Sequence, residues 1–393
     1  MQVWKLTRFE LKKAVRSRFF AAAFLVLFAV NSLFWCGNFG GFGVSRKIAE
    51  YEEGAYAILD GMTPEEFADF QESMISKYGE DTFSPYLDAP EEMMQRPGYF
   101  GDMCSDWDLV RLHVHMKMNT DNNEEAFARV LNAAKGFGRE ALLAGDNYEV
   151  RRNLNIIRLY SVPRAGLTRL VGGWNTFLFG NHTMLLVFLL ILQCSAGSFT
   201  KEKEQQTFLL LHTAKNGKGK TLAAKFLASA VCAAGFTLLF QGGSLLTIYL
   251  NYGLVGVGQT VAGIQELRLC PFALTVGQYV LLALACQVFA AVVLSVLLTA
   301  VSALSRSSVL SYGACMVLTG ACVWRLFDPP RSEWFAGPLA LARPERYFAS
   351  YYTADFFSYP LLWAAAQVIL WCVLGAVLIL LAGLVYHRKR RRL

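Results

Sequence analysis

Charge is what this sequence lacks over most of its length. Lys, Arg, Asp and Glu make up only 17% of the 393 residues, and 54% are hydrophobic, whereas an average soluble domain carries about 25% charged residues. The gaps are long and discrete. No charged residue falls between Arg18 and Arg46, Arg169 and Lys201, Lys225 and Glu266, Arg268 and Arg306, Arg306 and Arg325, or Asp355 and Arg388. A helix needs roughly 20 apolar residues to cross the hydrocarbon core, so each gap accommodates one crossing. An ordinary soluble protein is excluded, and six transmembrane helices are expected near 19–37, 180–199, 226–250, 272–303, 307–324 and 360–386.

Other absences narrow the class further. Nine cysteines are present, yet no two are spaced as CxxC, which removes structural zinc and a disulfide framework from the reading. Six of them, Cys194, Cys232, Cys286, Cys315, Cys322 and Cys372, fall within the expected spans, where a thiol is usually a small packing group. The spans hold no Asp, Glu, Lys or Arg away from their ends; Gln193, Gln241, Gln287, Gln367 and scattered hydroxyls are among their polar groups. Ion-coupled transporters ordinarily carry intramembrane ionisable groups, so work done by such a bundle has to be powered from outside it. No small-x-small cleavage site follows "FFAAAFLVLFAVNSLFW", and Trp35 precedes Cys36 where a lipoprotein would need a small residue. The first span therefore reads as an uncleaved anchor.

The charge that is present sorts by side. Residues 1–18 carry Lys5, Arg8, Lys12, Lys13, Arg16 and Arg18 against Glu10 alone, and the tail 387–393 adds five basic residues. The stretch 200–225 carries Lys201, Lys203, Lys215, Lys218, Lys220 and Lys225 against Glu202 and Glu204. Positive flanks stay in the cytoplasm, so all three are expected there, which an even number of spans satisfies. Residues 38–179 then form an extracytoplasmic domain. From Arg46 to Arg169 it holds 22 acids and 14 bases, net −8, against +7 for the whole chain. Helix signals dominate it. "TPEEF" offers Thr63 as cap, Pro64 at the first position and Glu66 closing a capping box, followed by Phe67, Phe70, Met74, Ile75 and Tyr78 at helical spacing. Ser105 with Asp108 suggests a second helix start, and Asp121 with Glu124 a third helix, ended by Gly136. A fourth is expected from Asp146 to Tyr160 with Val150, Leu154 and Ile157 on one face. The arginines Arg151, Arg152, Arg158, Arg164 and Arg169 suit either contact with anionic lipid heads or a solvated face.

Two patterns invite chemistry. Cys104, His113, His115, Met116 and Met118 have the donor types of a soft-metal site, but His-x-His on a helix directs the rings apart, so no metal is expected. Ala214, four residues, then Gly219-Lys220-Thr221 matches a relaxed phosphate-binding loop. Such a loop joins a strand to a helix within an α/β domain. No cytosolic segment here exceeds about 27 residues, and the following helix runs straight into an apolar stretch, so no nucleotide site, catalytic set or cofactor is expected.

The basic cytosolic segment carries a resemblance. Lys201-Glu202-Lys203-Glu204, then Thr207, Leu209-Leu210-Leu211, Thr213, Lys215 and Lys225 follow in the order of type-2 ABC transporter permeases; Gln206 replaces their Gly, and "AKNGKGK" replaces their Pro-Ser-Arg region. The basic amphipathic N-terminus, the six spans and the large domain between the first two agree with one branch of that family. The resemblance implies an all-α polytopic membrane protein without catalytic, metal or cofactor residues. It would be the permease of an ABC exporter, driven by a separate ABC ATPase subunit in two copies and paired with a second permease, a copy or a paralogue. It implies that Lys201, Glu202, Glu204, Thr207, Leu209, Leu210, Thr213 and Lys225 belong to a coupling helix against the ATPase. It also implies a short helical hairpin before the last span, within the aromatic stretch 346–363, which otherwise reads as an interfacial anchor. The expected place is the plasma membrane of a bacterial cell, multi-pass, with both termini cytoplasmic. Lipids, hydrophobic peptides and amphipathic compounds suit a charge-free interior, membrane lipid surrounds it, and nucleic acid is not an expected partner. The alternative reading is a membrane-anchored receptor or assembly factor acting through the external domain; a polytopic enzyme lacks any legible catalytic set.

Overall fold

The computed structural model describes residues 2–38, 44–79, 106–162, 172–180, 182–205, 217–327 and 338–388. Its N-terminus forms α1 (Gln2–Val15) and α2 (Arg18–Asn38), bent by 72° at the break between them. Composition makes the corner: α1 mixes basic and apolar residues, while α2 is apolar on every face behind Arg18. Next come α3 (Val44–Gly61), α4 (Pro64–Tyr78), α5 (Asp106–Ala144) and α6 (Asn147–Tyr160), then α7 (Gly172–Phe179), α8 (His182–Ser195) and the short α9 (Thr200–Glu204). The long helices α10 (Gly217–Tyr252), α11 (Val276–Leu304) and α12 (Ser308–Phe327) follow. The chain closes with α13 (Glu345–Phe348), the strands β1 (Thr353–Phe356) and β2 (Tyr359–Leu362), and α14 (Trp363–Arg388).

Among the described residues, Phe177–Glu204, Gly219–Asn251, Val276–Leu304 and Trp363–Tyr386 are long and apolar enough to cross a membrane. They overlap the expected spans 180–199, 226–250, 272–303 and 360–386. The expected spans 19–37 and 307–324 fall on α2 and on the shorter apolar helix Ser308–Trp324. The chain is an all-α polytopic membrane protein, with one small hairpin as its β structure among the described residues.

Lipid gives apolar helices little reason to associate, so packing detail and buried hydrogen bonds hold the bundle. Phe24 and Phe28 of α2 interleave with Phe236 and Phe240 of α10, with ring centroids 5.4 to 6.1 Å apart. Gly243 admits the approach, since a Cβ there would stand 2.9 Å from Phe28 Cζ. Two polar clusters pin the helices. Asn31 donates to Ser244 Oγ (3.0 Å) and accepts from Thr183 (2.8 Å), tying α2, α8 and α10. Ser229 meets Ser195 at 2.7 Å and Thr299 at 2.9 Å, tying α8, α10 and α11.

Among the described residues the unit between α2 and α8 is helical, and the caps expected at Thr63 and Asp146 form, while Ser105 lies outside the described residues. Thr63 N–H donates to Glu66 Oε2 (2.8 Å) while Glu66 N–H donates to Thr63 Oγ1 (3.2 Å), and Asp146 accepts from Tyr148 and Glu149 N–H to start α6. Three expectations need correction. Asp121 and Gly136 do not bound a third helix: α5 runs unbroken from Asp106 to Ala144. A mid-helix Gly costs roughly 1 kcal/mol relative to Ala, and a buried stripe through Leu109, Leu112, Met116, Ala126, Ala134 and Ala141 offsets it. On α6 the face turned inward is not Val150, Leu154 and Ile157. Leu154 is 59% exposed, while Asn153 and Tyr160 are buried, because Tyr160 OH donates to Leu269 O and Asn153 to Glu149 O. The segment before the last span is a two-stranded hairpin, not a helical one. Phe357 and Ser358 adopt φ of 52° and 64° to make a two-residue turn, and Arg151 of α6 braces it, donating to Ser358 O (3.1 Å) with its guanidinium 4.0 Å from the Tyr359 ring centre.

The metal-like residues also take their places here. His113 and His115 lie on α5, His113 against the Phe67 ring (4.4 Å), and Met116 is buried in the unit's own core. Cys104 lies outside the described residues. Burial holds both imidazoles below their ordinary pKa of 6.5, helped by Lys117 at His113 and Arg111 at His115.

Candidate functional site

The densest polar chemistry gathers where α1, α8, α9, α10, α11 and α12 end on one side of the bundle. Its anchor is Lys225, about two turns into α10 and with only 1% of its side chain exposed. An isolated buried ammonium is prohibitively costly, so its surroundings must supply acceptors. Three converge. Glu202 Oε1 lies at 2.7 Å, Ser198 O at 2.8 Å and Glu10 Oε2 at 3.2 Å, matching the three donors of an ammonium. The Phe199 ring adds a face 5.3 Å from Nζ, within cation–π range. Glu202, 4% exposed, shares the same Oε1 with Lys13 of α1 at 2.7 Å. Two cations and two carboxylates thus close a neutral cluster spanning α1, α9 and α10.

Local sequence explains how each group arrives. In α1, Thr7, Glu10 and Ala14 repeat at helical spacing, and Thr7 is fully buried with its hydroxyl on Val3 O (2.9 Å). This face lies on α10, while Trp4 and Phe9 are 60% and 63% exposed. After α8 the chain turns through Ala196, Gly197 and Ser198. Gly197 leaves room there for two side-chain ends, since a Cβ would meet Lys201 Cε at 2.8 Å and Tyr312 OH at 2.9 Å and both would have to shift. The five-residue α9 then distributes its charges outward to separate helices. Lys203 donates to Ala303 O (2.8 Å) and Ser305 O (2.7 Å), carbonyls orphaned at the C-terminus of α11. Glu204 accepts from Ser308 N–H and Ser308 Oγ–H, both at 2.7 Å, capping the N-terminus of α12. Phe199 N–H donates to Ser302 Oγ (3.2 Å), and Ser311 Oγ–H to Ala196 O (2.6 Å). Beneath this layer Phe199, Leu222, Phe226, Ala303, Ala382 and Tyr386 pack together and bring in the end of α14.

Of the eight residues singled out in the sequence, the structure brings Glu202 and Lys225 into direct contact across 23 positions. It leaves Lys201 exposed at the rim and sets Glu204, exposed, over the start of α12. Thr207, Leu209, Leu210 and Thr213 lie outside the described residues. The charged turn therefore differs from a simple docking face: Glu202, Lys203 and Glu204 all bond within the chain. Sequence reasoning missed Glu10, Lys13 and Ser308. A signal for the first existed, since Glu10 is the single acid of a basic helix and falls three residues after Thr7 on the face that packs.

Part of the phosphate-loop-like stretch is described here. Gly219, Lys220 and Thr221 are part of the first turns of α10, and Thr221 is buried in the bundle; its upstream residues 206–216 lie outside the described residues. What the cluster can do is mechanical: a displacement of α9 pulls on α1, α10, α11 and α12 together.

Comparison with known proteins gives one family. The family model described as "ABC-2 family transporter protein" matches residues 4–323. No curated protein and no solved structure matches the chain.

Proposed function

The chain belongs to the ABC-2 family of transporter proteins, and on that premise we propose that it is the permease of an ABC exporter whose ATP hydrolysis is done by a separate ATPase subunit. The carrying observation is the cluster of Lys225, Glu202, Glu10 and Lys13. It ties the segment 200–225, through α9, to the amphipathic α1 and to the long helix α10, so a push on this segment reaches the bundle without loss in a flexible linker. Residues 201–213 serve as the coupling element: Lys201 and Glu204 at the rim, with Leu209 and Leu210 beyond, meet the ATPase, while Glu202 and Lys225 carry the motion inward. Six spans place α1, this segment and the tail in the cytoplasm of the plasma membrane and residues 38–179 outside. Two ATPase copies and a second permease, identical or paralogous, complete the assembly.

A bundle whose spans carry Asp, Glu, Lys or Arg only near their ends suits a cargo of lipid, hydrophobic peptide or amphipathic type. The test is retention of the soluble ATPase on tagged chain, with ATP turnover assayed in the same detergent. Leu210→Asp is expected to release the ATPase, whereas Glu124→Lys, in the external unit, is expected to leave it bound. Failure of any ATPase to co-purify would favour the receptor reading, and full retention with Leu210→Asp would remove residues 201–213 as the coupling element.

A further inference from the structure

A cavity of about 120 Å³ lies beside the ion cluster, among the α1–α2 corner, the end of α8 and the neighbouring turns of α10. Burial orients it. Lys13, Ser17 and Lys201 in its wall are exposed, whereas Phe20, Ala228 and Cys232 are buried, so the mouth is polar and the floor apolar. Lys13, Lys201 and Lys225 line it together with one carboxylate, Glu10. Glu202 adds a second negative charge by holding Lys13 and Lys225, and three ammonium groups against two carboxylates leave one positive charge in excess. That excess sits on Lys201, with which no carboxylate pairs among the described residues. Its stem lies against Gly197 of the same wall, Cε standing 2.8 Å from where a Cβ would be. Lys225 has spent its three donors, but Lys13 has spent one, on Glu202. Ser198 Oγ, also in the wall, is buried and has no hydrogen-bond partner among the described residues. Donors in want of an acceptor therefore gather at one mouth from two sides, α1 and the turn after α8.

We propose that this mouth binds a single phosphate group, held by the Lys13 and Lys201 ammonium groups with the Ser17 and Ser198 hydroxyls beside them. Size permits it: one water needs roughly 10–15 Å³ of such space, so the cavity has room for several waters and for the phosphate that displaces them. Shape favours it over a carboxylate. A tetrahedral phosphate turns oxygens toward several directions at once and so meets donors from both sides of the mouth, whereas a carboxylate offers two oxygens in one plane. Lysine serves phosphate as a point charge, and hydrogen bonds between ionised partners are roughly twice as strong as neutral ones. The phosphate is either the inorganic anion or the head of an anionic phospholipid. The second source is open to the site because the mouth lies where α1 leaves the apolar helix α2, and basic groups beside a span attract anionic lipid heads. By bridging Lys13 of α1 to Lys201 of α9, the anion fastens the segment to which coupling is assigned above. That consequence rests on the proposed function; the site does not.

The test uses purified full-length chain in detergent at fixed ionic strength, in two arms. In the first, radiolabelled inorganic phosphate is titrated onto the chain. In the second, native mass spectrometry counts the phosphatidylglycerol molecules retained by the chain, with diacylglycerol as the comparison that lacks the phosphate. The expected result is one saturable phosphate per chain, or one retained phosphatidylglycerol without retained diacylglycerol, and the arm that binds identifies the source. Lys201→Met is expected to weaken that binding at least about tenfold, the loss of one charged hydrogen bond. Because Lys201 has no carboxylate partner among the described residues, this variant is expected to unfold at the parent's temperature when neither ligand is present, which separates a lost site from a lost fold. Arg8→Met removes an exposed charge of α1 outside the cavity wall and is expected to leave the affinity within about twofold. Binding in neither arm overturns the site. Equal weakening by Lys201→Met and Arg8→Met also overturns it, because the attraction would then belong to a diffuse basic surface. Binding is read on the chain alone, so a missing ATPase would refute the proposed function without altering this result.

Discussion

Replacing Lys225 by Met removes the ammonium from the middle of the ion cluster and keeps most of its volume. Glu202, 4% exposed, then retains Lys13, and Glu10, 14% exposed, loses its one cationic partner there. Removing one partner of a buried ion pair costs about 3–5 kcal/mol, most of it from the charge left behind. Since 1.4 kcal/mol is a factor of ten, the variant is expected to lose roughly two orders of magnitude or more in its folding equilibrium. Glu202→Gln is milder, because Lys225 keeps Glu10 and Ser198 O and the amide oxygen can still accept from both Lys13 and Lys225; only the charge on the acceptor is lost, and a hydrogen bond to a charged group is worth about 1.5–3 kcal/mol. The double variant leaves Glu10 with Lys13 as a balanced remainder, so its cost should fall short of the sum by about 0.5–3 kcal/mol, the usual range for contacting residues. The assay is reversible unfolding in mixed detergent micelles, with ATPase retention measured on the same preparations. If Lys225→Met matches the parent in stability, or if the two changes add without coupling, the cluster does not hold these helices and the mechanical argument built on it fails.

Other outcomes are expected to follow the same physics. A cysteine introduced at Asp102 should react with an impermeant thiol reagent in intact cells and one placed after Arg388 should not; equal labelling would refute the six-span topology. His113 and His115 bind protons less readily in the fold than in the unfolded chain, so the native state gains nothing above the ordinary pKa and is penalised as pH falls through 6.5. The helical unit that holds them should therefore melt at lower temperature at pH 5.5 than at pH 7.5, and His113→Gln with His115→Gln should flatten that dependence. Lys220→Ala should leave the nucleotide affinity of the purified chain unchanged, and saturable ATP binding abolished by that change would overturn the reading of residues 214–221.

Periodicity and charge gaps carry information only about what is adjacent along the chain, and that is where the sequence was legible. The long apolar helices, the capping box at Thr63, the start of α6 at Asp146 and the amphipathic character of α1 were all readable, because each depends on residues within a turn or two. The errors came where distant contacts overrode local signals. Asp121 and Gly136 look like helix boundaries, yet α5 runs through both, with Ala126, Ala134 and Ala141 buried beyond Asp121. Leu154 looks like a core residue, yet the hydrogen bond of Tyr160 to Leu269 O turns α6 the other way. Around Phe357 and Ser358 no Gly or Asn announces a two-residue turn, and the brace from Arg151, some 200 positions earlier, lies beyond any local pattern.

By itself the sequence determined that this is a multi-pass helical membrane protein with a polar, basic segment at 200–225, because exclusion of charge from hydrocarbon is a property of each residue. It also carried enough of that segment's order to point to the family. Only the tertiary structure decided what the charges there do. Glu202 and Lys225 are 23 residues apart, Glu10 and Lys225 are 215 apart, and Glu204 and Ser308 are 104 apart. A buried ammonium needs three acceptors in one small volume, and which carboxylates fill it depends on how the helix ends meet.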